Sequence, residues 1–262
     1  MKNIFREKLK ANEPIIATRI NSTWPVVAEV VGATGKYDYI EFLGEYAPYN
    51  QYDLENIARA CELHGMSSIM KVDYANRDYV AQKALAAGIQ GILFTDHIQA
   101  KEVEETLKMV KPATPQAKGR LGYVNRRWYK NEGFANQMTY ADEISQCVIG
   151  FMVEKAEAVK NIEEICQVPG VDFIQFGPAD FSMNSGFNHK ENLEKVREVE
   201  AKVIQTALKY GVSPRVELNS AKEAERYIQM GVKHFALGSE LRIEKVYWNT
   251  EGDELHSMLD KG

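Results

Sequence analysis

The 262-residue chain predicts an α/β fold, a (β/α)8 barrel of parallel strands each followed by a helix. Three observations predict it. Short apolar runs alternate with longer helical stretches from end to end, in eight successive units. Gly65, Gly88, Gly170, Gly211 and Gly231 each stand where a helical stretch stops and an apolar run begins. No linker or low-complexity stretch divides the chain, so residues 1–262 read as one domain.

In order, the apolar run 14–20 opens the first strand, and 26–31 is its helix. Residues 37–43 form the second strand, followed by a helix over 54–63. The third strand is 67–72, with helix 78–87. The fourth is short, 91–94, and its helix is 100–110. The fifth runs 147–153, with helix 156–166. The sixth is 171–176, followed by a long helix over 193–210. The seventh is 212–216 with helix 221–230, and the eighth is 232–237, with a helical tail from Glu240.

Residues 111–143 break the rhythm, with no clean strand. They carry Arg120, Asn125, Arg126, Arg127, Trp128 and Tyr129. A segment this long in a compact domain usually serves a site or an oligomer contact. The arginines suit either an anionic substrate tail or an interface, and Tyr123, Trp128 and Tyr129 suit the interface.

Composition narrows the function. The net charge of −5 argues against a nucleic-acid partner. No apolar run approaches the roughly 20 residues that span a bilayer, and the start Met1-Lys2-Asn3-Ile4-Phe5-Arg6 is too charged for a signal peptide. Cys61, Cys147 and Cys166 are odd in number and lack a CxxC spacing, so they read as reduced, buried thiols of a cytoplasmic protein.

Chemistry in such a barrel gathers at the C-terminal ends of the strands. Those positions here are Arg19 and Asn21, then Gly44 to Pro48, Lys71 and Asp73, Thr95-Asp96-His97, Glu154, Gly177 to Asp180 with Ser182, Arg215 and Glu217, and Gly238 to Glu240. Glu154 and Asp180 follow the fifth and sixth strands, so two carboxylates share one mouth. Such a pair suits oxygen coordination of Mg²⁺ or Mn²⁺, completed by water and substrate oxygens. The same two residues also read as solvated loop carboxylates. His97 reads either as a catalytic base at the mouth or as a hydrogen-bonded loop histidine.

The stretch from Val153-Glu154-Lys155 to Gly177-Pro178-Ala179-Asp180-Phe181-Ser182 resembles the metal-dependent 2-keto-acid aldolases of the HpcH/HpaI (4-hydroxy-2-oxoheptanedioate aldolase) family. Gly44-Glu45-Tyr46-Ala47-Pro48 resembles that family's Gly-Glu-His-Ala-Pro motif, and the likeness covers nearly the whole chain. It implies a phosphoenolpyruvate/pyruvate-binding barrel whose last helix is exchanged between subunits, commonly in a homo-hexamer. It implies Glu154 and Asp180 as ligands of Mg²⁺, Mn²⁺ or Co²⁺. It also implies that Gly177, Pro178, Ala179 and Ser182 bind a pyruvate-like keto acid, whose enolate adds to an aldehyde or is released by retro-aldol cleavage.

The chain departs from that pattern at five positions together. The family's catalytic His is Tyr46, the Asp that orients it is Leu43, the third-strand Arg is Lys71, a Gln before the metal Glu is Met152, and a first-strand Trp is Arg19. With an ordinary pKa near 10, Tyr46 is a poor base at neutral pH, and Lys71 keeps the charge but loses the planar fork. Arg19 is expected to restore that fork, and Tyr46, Lys71 and His97 are the expected catalytic groups. The departures also keep open another metal-dependent reaction, hydrolysis or decarboxylation, or a ligand-binding relative with impaired catalysis.

Overall fold

The computed structural model describes residues 2–123, 126–128 and 136–260. Its centre is a closed barrel of eight parallel strands in sequence order, β1 pairing with both β2 and β8. The strands are β1 Ile15–Ile20, β2 Tyr39–Phe42, β3 Ser67–Val72, β4 Gly91–Phe94, β5 Val148–Val153, β6 Phe173–Phe176, β7 Ser213–Leu218 and β8 His234–Ser239. The first half of the helical layer is α1 Ile4–Ala11, α2 Pro25–Ala33, α3 Gln51–Leu63, α4 Arg77–Ala87, α5 Ala100–Val110 and α6 Gln137–Ile144. It continues with α7 Ala156–Lys160, α8 Ile162–Cys166, α9 Pro178–Asn184, α10 Leu193–Lys209, α11 Ala224–Gln229 and α12 Glu240–Leu259. Every expected strand is present, and the five helix-end glycines all have positive φ.

Three expectations change. The helix expected over 156–166 is broken at Asn161 into α7 and α8. The one expected over 221–230 starts as a 3-10 turn, Ala221–Glu223. The segment 111–143 holds a Pro112↔Leu121 bridge and α6, whose start Asn136 caps through its side chain. Two elements had no periodic signal to announce them. One is α9, with Pro178 in its first turn. The other is α1, capped by Asn3 and too charged for an apolar-run reading. Its Phe5 is fully buried and stacks on Tyr39 at 4.2 Å, closing the N-terminal end of the barrel.

Alternation along each strand sends one set of side chains inward and the other against the helices. The inward set includes Ile15, Ala17, Tyr39, Ile69, Leu93, Val148, Met152, Phe173 and Ala236. Phe173 fills the lumen over Gly150, where a Cβ would stand 2.2 Å from the ring. The outward set joins the helices in the larger core. At the C-terminal end the inward positions turn polar: Arg19, Glu41, Lys71, Gln175, Arg215 and Glu217 continue the same parities.

Candidate active site

Glu154 continues the inward parity of Val148 and Met152 one step beyond β5, and it is 3% exposed at the mouth. Its Oε1 accepts a hydrogen bond from the Asp96 backbone N–H at 3.0 Å. Asp96 follows β4 with φ 61°, in the left-handed region, and that turn aims its amide at the carboxylate. Glu154 Oε2 accepts no hydrogen bond among the described residues. A Cβ on Gly177 would lie 2.8 Å from the Glu154 Cβ and 3.0 Å from Oε2, so only glycine lets β6 pass this close. Burial pushes the Glu154 carboxyl up to about 7. Lys71 and the Asp96 amide pull it down, and the charges of Asp96 and Asp180 push it further up.

Asp180 lies in the first turn of α9, where the Ala179 and Asp180 amides have no acceptor within the helix. Pro178 has no amide N–H, and the Gly177 N–H is taken by Val153 O at 3.0 Å. The Ser182 hydroxyl donates to Pro178 O at 2.7 Å, so it braces the turn from within.

Across the mouth, Lys71 is buried and lies 2.6 Å from a Glu45 carboxylate oxygen, and its Nζ donates to the Tyr46 hydroxyl at 2.8 Å. Burial alone would lower the lysine's pKa, but Glu45, Tyr46 and Glu154 together raise it, so it stays an ammonium. The Tyr46 ring is exposed while its hydroxyl is turned inward. Desolvation outweighs the Lys71 contact and pushes it up to about 12. Arg19 does not present a free fork: its Nε donates to Gly238 O at 3.2 Å and its Nη1 bonds Glu217.

Beneath these groups runs a polar network that the sequence reading did not assemble. Arg215 bonds both Glu41 and Gln175, and Gln175 donates to Glu217 at 2.6 Å. The side chains of Arg215 and Glu41 have no exposure. Alternation from Tyr39 would have placed Glu41 inside. Beside the mouth, the β6–β7 ladder stops at Gln175↔Arg215. A cavity of about 280 Å³ opens there between the barrel wall and α10, lined by Ile174, Phe176, Val203, Ile204 and Val216 together with Arg19, Arg215 and Glu217.

Two sets of expected residues lie elsewhere. His97 is 1% exposed, and its ring nitrogens contact Thr95 O and Thr106 Oγ1, each at 2.7 Å. It packs edge-on against Phe151 between the barrel wall and α5, and burial lowers its pKa to about 4. The expectation of a catalytic base at His97 is therefore corrected: apolar neighbours draw the ring out of the mouth. In the long segment, Arg126 pairs with Glu55 at 2.6 Å and Arg127 with Glu62 at 2.8 Å. Trp128 is buried and donates to Leu85 O. These contacts fasten the segment to α3 and α4 on the outside of the barrel, while the Arg120 guanidinium approaches Met109 Sδ and its backbone N–H donates to Lys108 O. Asn125 and Tyr129 lie outside the described residues.

The oxygen-only pair of Glu154 and Asp180 fits a hard divalent cation, with one carboxylate oxygen unclaimed and a charge that burial disfavours. No grouping of three or more His, Cys, Asp and Glu that could hold a metal occurs among the described residues. Residues 20–243 match the model of the HpcH/HpaI aldolase/citrate lyase family. The chain belongs to that family. It is 25% identical over 240 residues to the 4-hydroxy-2-oxo-heptane-1,7-dioate aldolase of Klebsiella pneumoniae, covering 91% of this chain and 88% of the relative. The solved HpcH/HpaI aldolase of Desulfitobacterium hafniense superposes with a TM-score of 0.87 at 22% identity over 97% of both chains. A family protein from Burkholderia cenocepacia gives 0.84 at 21%, over 97% of this chain and 100% of the other. Both share the barrel. No described helix is long and apolar enough to cross a membrane.

Proposed function

We propose that this protein is a divalent-metal-dependent, carbon–carbon-bond lyase that makes or cleaves aldol products of a 2-keto acid through a pyruvate enolate. The observation that carries the reading is the buried Glu154 carboxylate beside Asp180, facing the Lys71–Tyr46 pair across one mouth. Glu154 and Asp180 would hold Mg²⁺, Mn²⁺ or Co²⁺, which supplies Lewis-acid stabilisation of the negative charge on the enolate oxygen.

The chain's own groups do the rest. The Ala179 and Asp180 amides receive the α-carboxylate of the pyruvate-like acid. Gly177 gives the room, Pro178 sets the turn, and Ser182 braces it. Lys71 puts a fixed positive charge opposite the carboxylate pair. Tyr46, bonded to that ammonium, gives a proton to the aldehyde oxygen in addition and takes it back in cleavage.

The high pKa of Tyr46 favours one second reading, decarboxylation of a 3-carboxy-2-keto acid. Breaking the C–C bond to carbon dioxide leaves the same enolate and needs no base at Tyr46. Exchange of pyruvate methyl protons in D₂O with added Mg²⁺, Mn²⁺ or Co²⁺ tests the principal reading. Exchange no faster than the metal-only blank sinks it, and carbon dioxide release from oxaloacetate without exchange selects the second.

The protein is proposed to assemble as a cytoplasmic homo-oligomer, a hexamer by family resemblance, with α12 exchanged between subunits. The support is that α12 has no buried residue and exposes Leu241, Ile243, Val246, Trp248, Leu255 and Met258. Light scattering of the full chain against one ending at Ser239 tests this, since truncation that leaves the mass per particle proportional excludes the exchange.

A further inference from the structure

The residue after Glu154 is a lysine, so the carboxylate pair carries a built-in rival for any metal ion. Lys155 directly follows Glu154, and its Nζ lies 2.7 Å from Oδ1 of Asp96, the residue whose backbone N–H binds the Glu154 carboxylate. A lysine ammonium is a compact point charge on a flexible stem. Free to swing, it would neutralise the pair from within the chain and oppose entry of a divalent ion. It does not swing, because its Nζ is held 2.7 Å from Asp96 Oδ1.

Asp96 thus acts twice from one position. Its left-handed backbone turns the N–H onto Glu154 Oε1 at 3.0 Å, fixing the carboxylate and leaving Oε2 without a partner. Its side chain binds Lys155. The other non-glycine residues of positive φ among those described, Asn12 and Lys118, lie away from the mouth, Asn12 as the C-cap of α1.

We propose that Asp96 is a positioning residue that parks Lys155 away from Glu154 and Asp180 and so keeps the carboxylate pair open to a divalent cation. The proposal rests on the metal reading of that pair. In this role Asp96 acts through its neighbours Glu154 and Lys155.

The test separates the two tasks of Asp96. Asparagine tolerates the left-handed backbone, so Asp96→Asn keeps the amide on Glu154 and removes the side-chain charge, which holds Lys155 and also bears on Glu154; the double variant below isolates the part that runs through Lys155. Mn²⁺ binding to the full-length protein is read by calorimetry and by the electron paramagnetic resonance signal of free Mn²⁺. Removing such an outer partner should weaken Mn²⁺ by about tenfold or more. The double variant Asp96→Asn/Lys155→Met should restore the wild-type affinity, because the released ammonium is gone. A merely structural role for Asp96 predicts no rescue. Asp96→Asn binding as well as wild type, or a double variant as weak as the single one, overturns the proposal. Wild-type protein that takes up no Mn²⁺ overturns the metal reading itself, a separate result.

Discussion

Lys71 donates to the Tyr46 hydroxyl at 2.8 Å, and this contact joins the two residues proposed to act on the substrate across from Glu154. By the resemblance in sequence, the tyrosine takes the place of the His of the Gly-Glu-His-Ala-Pro motif, and the lysine that of the third-strand Arg. With its hydroxyl pushed up to about 12, Tyr46 holds its proton at neutral pH and gives it up only to a strong base such as an alkoxide.

Tyr46→Phe should therefore separate two half-reactions. Retro-aldol cleavage, which needs the proton transfer, should fall by about 10²-fold or more. Pyruvate methyl-proton exchange should stay within a few-fold of wild type. Because the deprotonated form grows with pH, wild-type cleavage should rise nearly tenfold per pH unit from neutrality toward the tyrosine's pKa. A pH-independent rate in that range removes Tyr46 as the base.

The Glu154 carboxyl makes metal-free stability depend on pH. Its folded value, about 7, lies above the unfolded value near 4.5. Below pH 4.5 both states hold the proton and the group contributes nothing. Between about 4.5 and 7 the folded state binds more protons than the unfolded one, so stability falls as pH rises. Above pH 7 the loss is complete, on the order of 3 kcal/mol. Glu154→Gln should then stabilise the metal-free protein at pH 8 and flatten this slope. Denaturant melts of both proteins at pH 5 and pH 8 check it, and Mn²⁺ should stabilise only the wild type.

Arg215 and Glu41 form an ion pair whose side chains have no exposure, at the level where the lumen turns polar. Removing one partner leaves a buried, uncompensated charge. Arg215→Met should destabilise the fold by about 3–5 kcal/mol, whereas Glu41→Leu/Arg215→Met together should be close to neutral or stabilising. Urea unfolding of the three proteins gives both numbers. A double variant as unstable as the single one would show that the network carries more than its charges.

His97→Ala should act on stability and leave catalysis alone. The change empties a space between Phe94, Phe151 and Tyr74 and leaves the Thr106 hydroxyl short of a partner, at a cost of about 2–4 kcal/mol. The pyruvate exchange rate per folded molecule should match wild type. A loss of exchange in fully folded His97→Ala protein would return the histidine to the site.

The barrel was legible in the chain because its signal is local. Eight apolar runs and the glycines at the helix ends specify where strands begin, and strand period then specifies which side chains enter the lumen. That reading also placed Glu154 and the Gly177 to Asp180 turn correctly, since a strand end in a closed barrel is a mouth position by geometry. Tertiary structure decided what each mouth residue does. Arg19 faces the mouth as its position requires, yet it is bonded to Glu217 and Gly238, which come from strands almost two hundred residues or more away. His97 follows β4 directly but turns outward, because Phe94 and Phe151 offer an apolar bed and Thr95 and Thr106 satisfy both its nitrogens. Asp96, one residue earlier, turns to Glu154 only through a left-handed backbone. The sequence by itself determined the barrel and the place of its two carboxylates. The partners of Arg19 were decided only on closure of the sheet, which brings β7 and β8 to β1, those of Lys71 and Asp96 by the pairing of neighbouring strands, and the outward turn of His97 by its packing against Phe151 and Thr106.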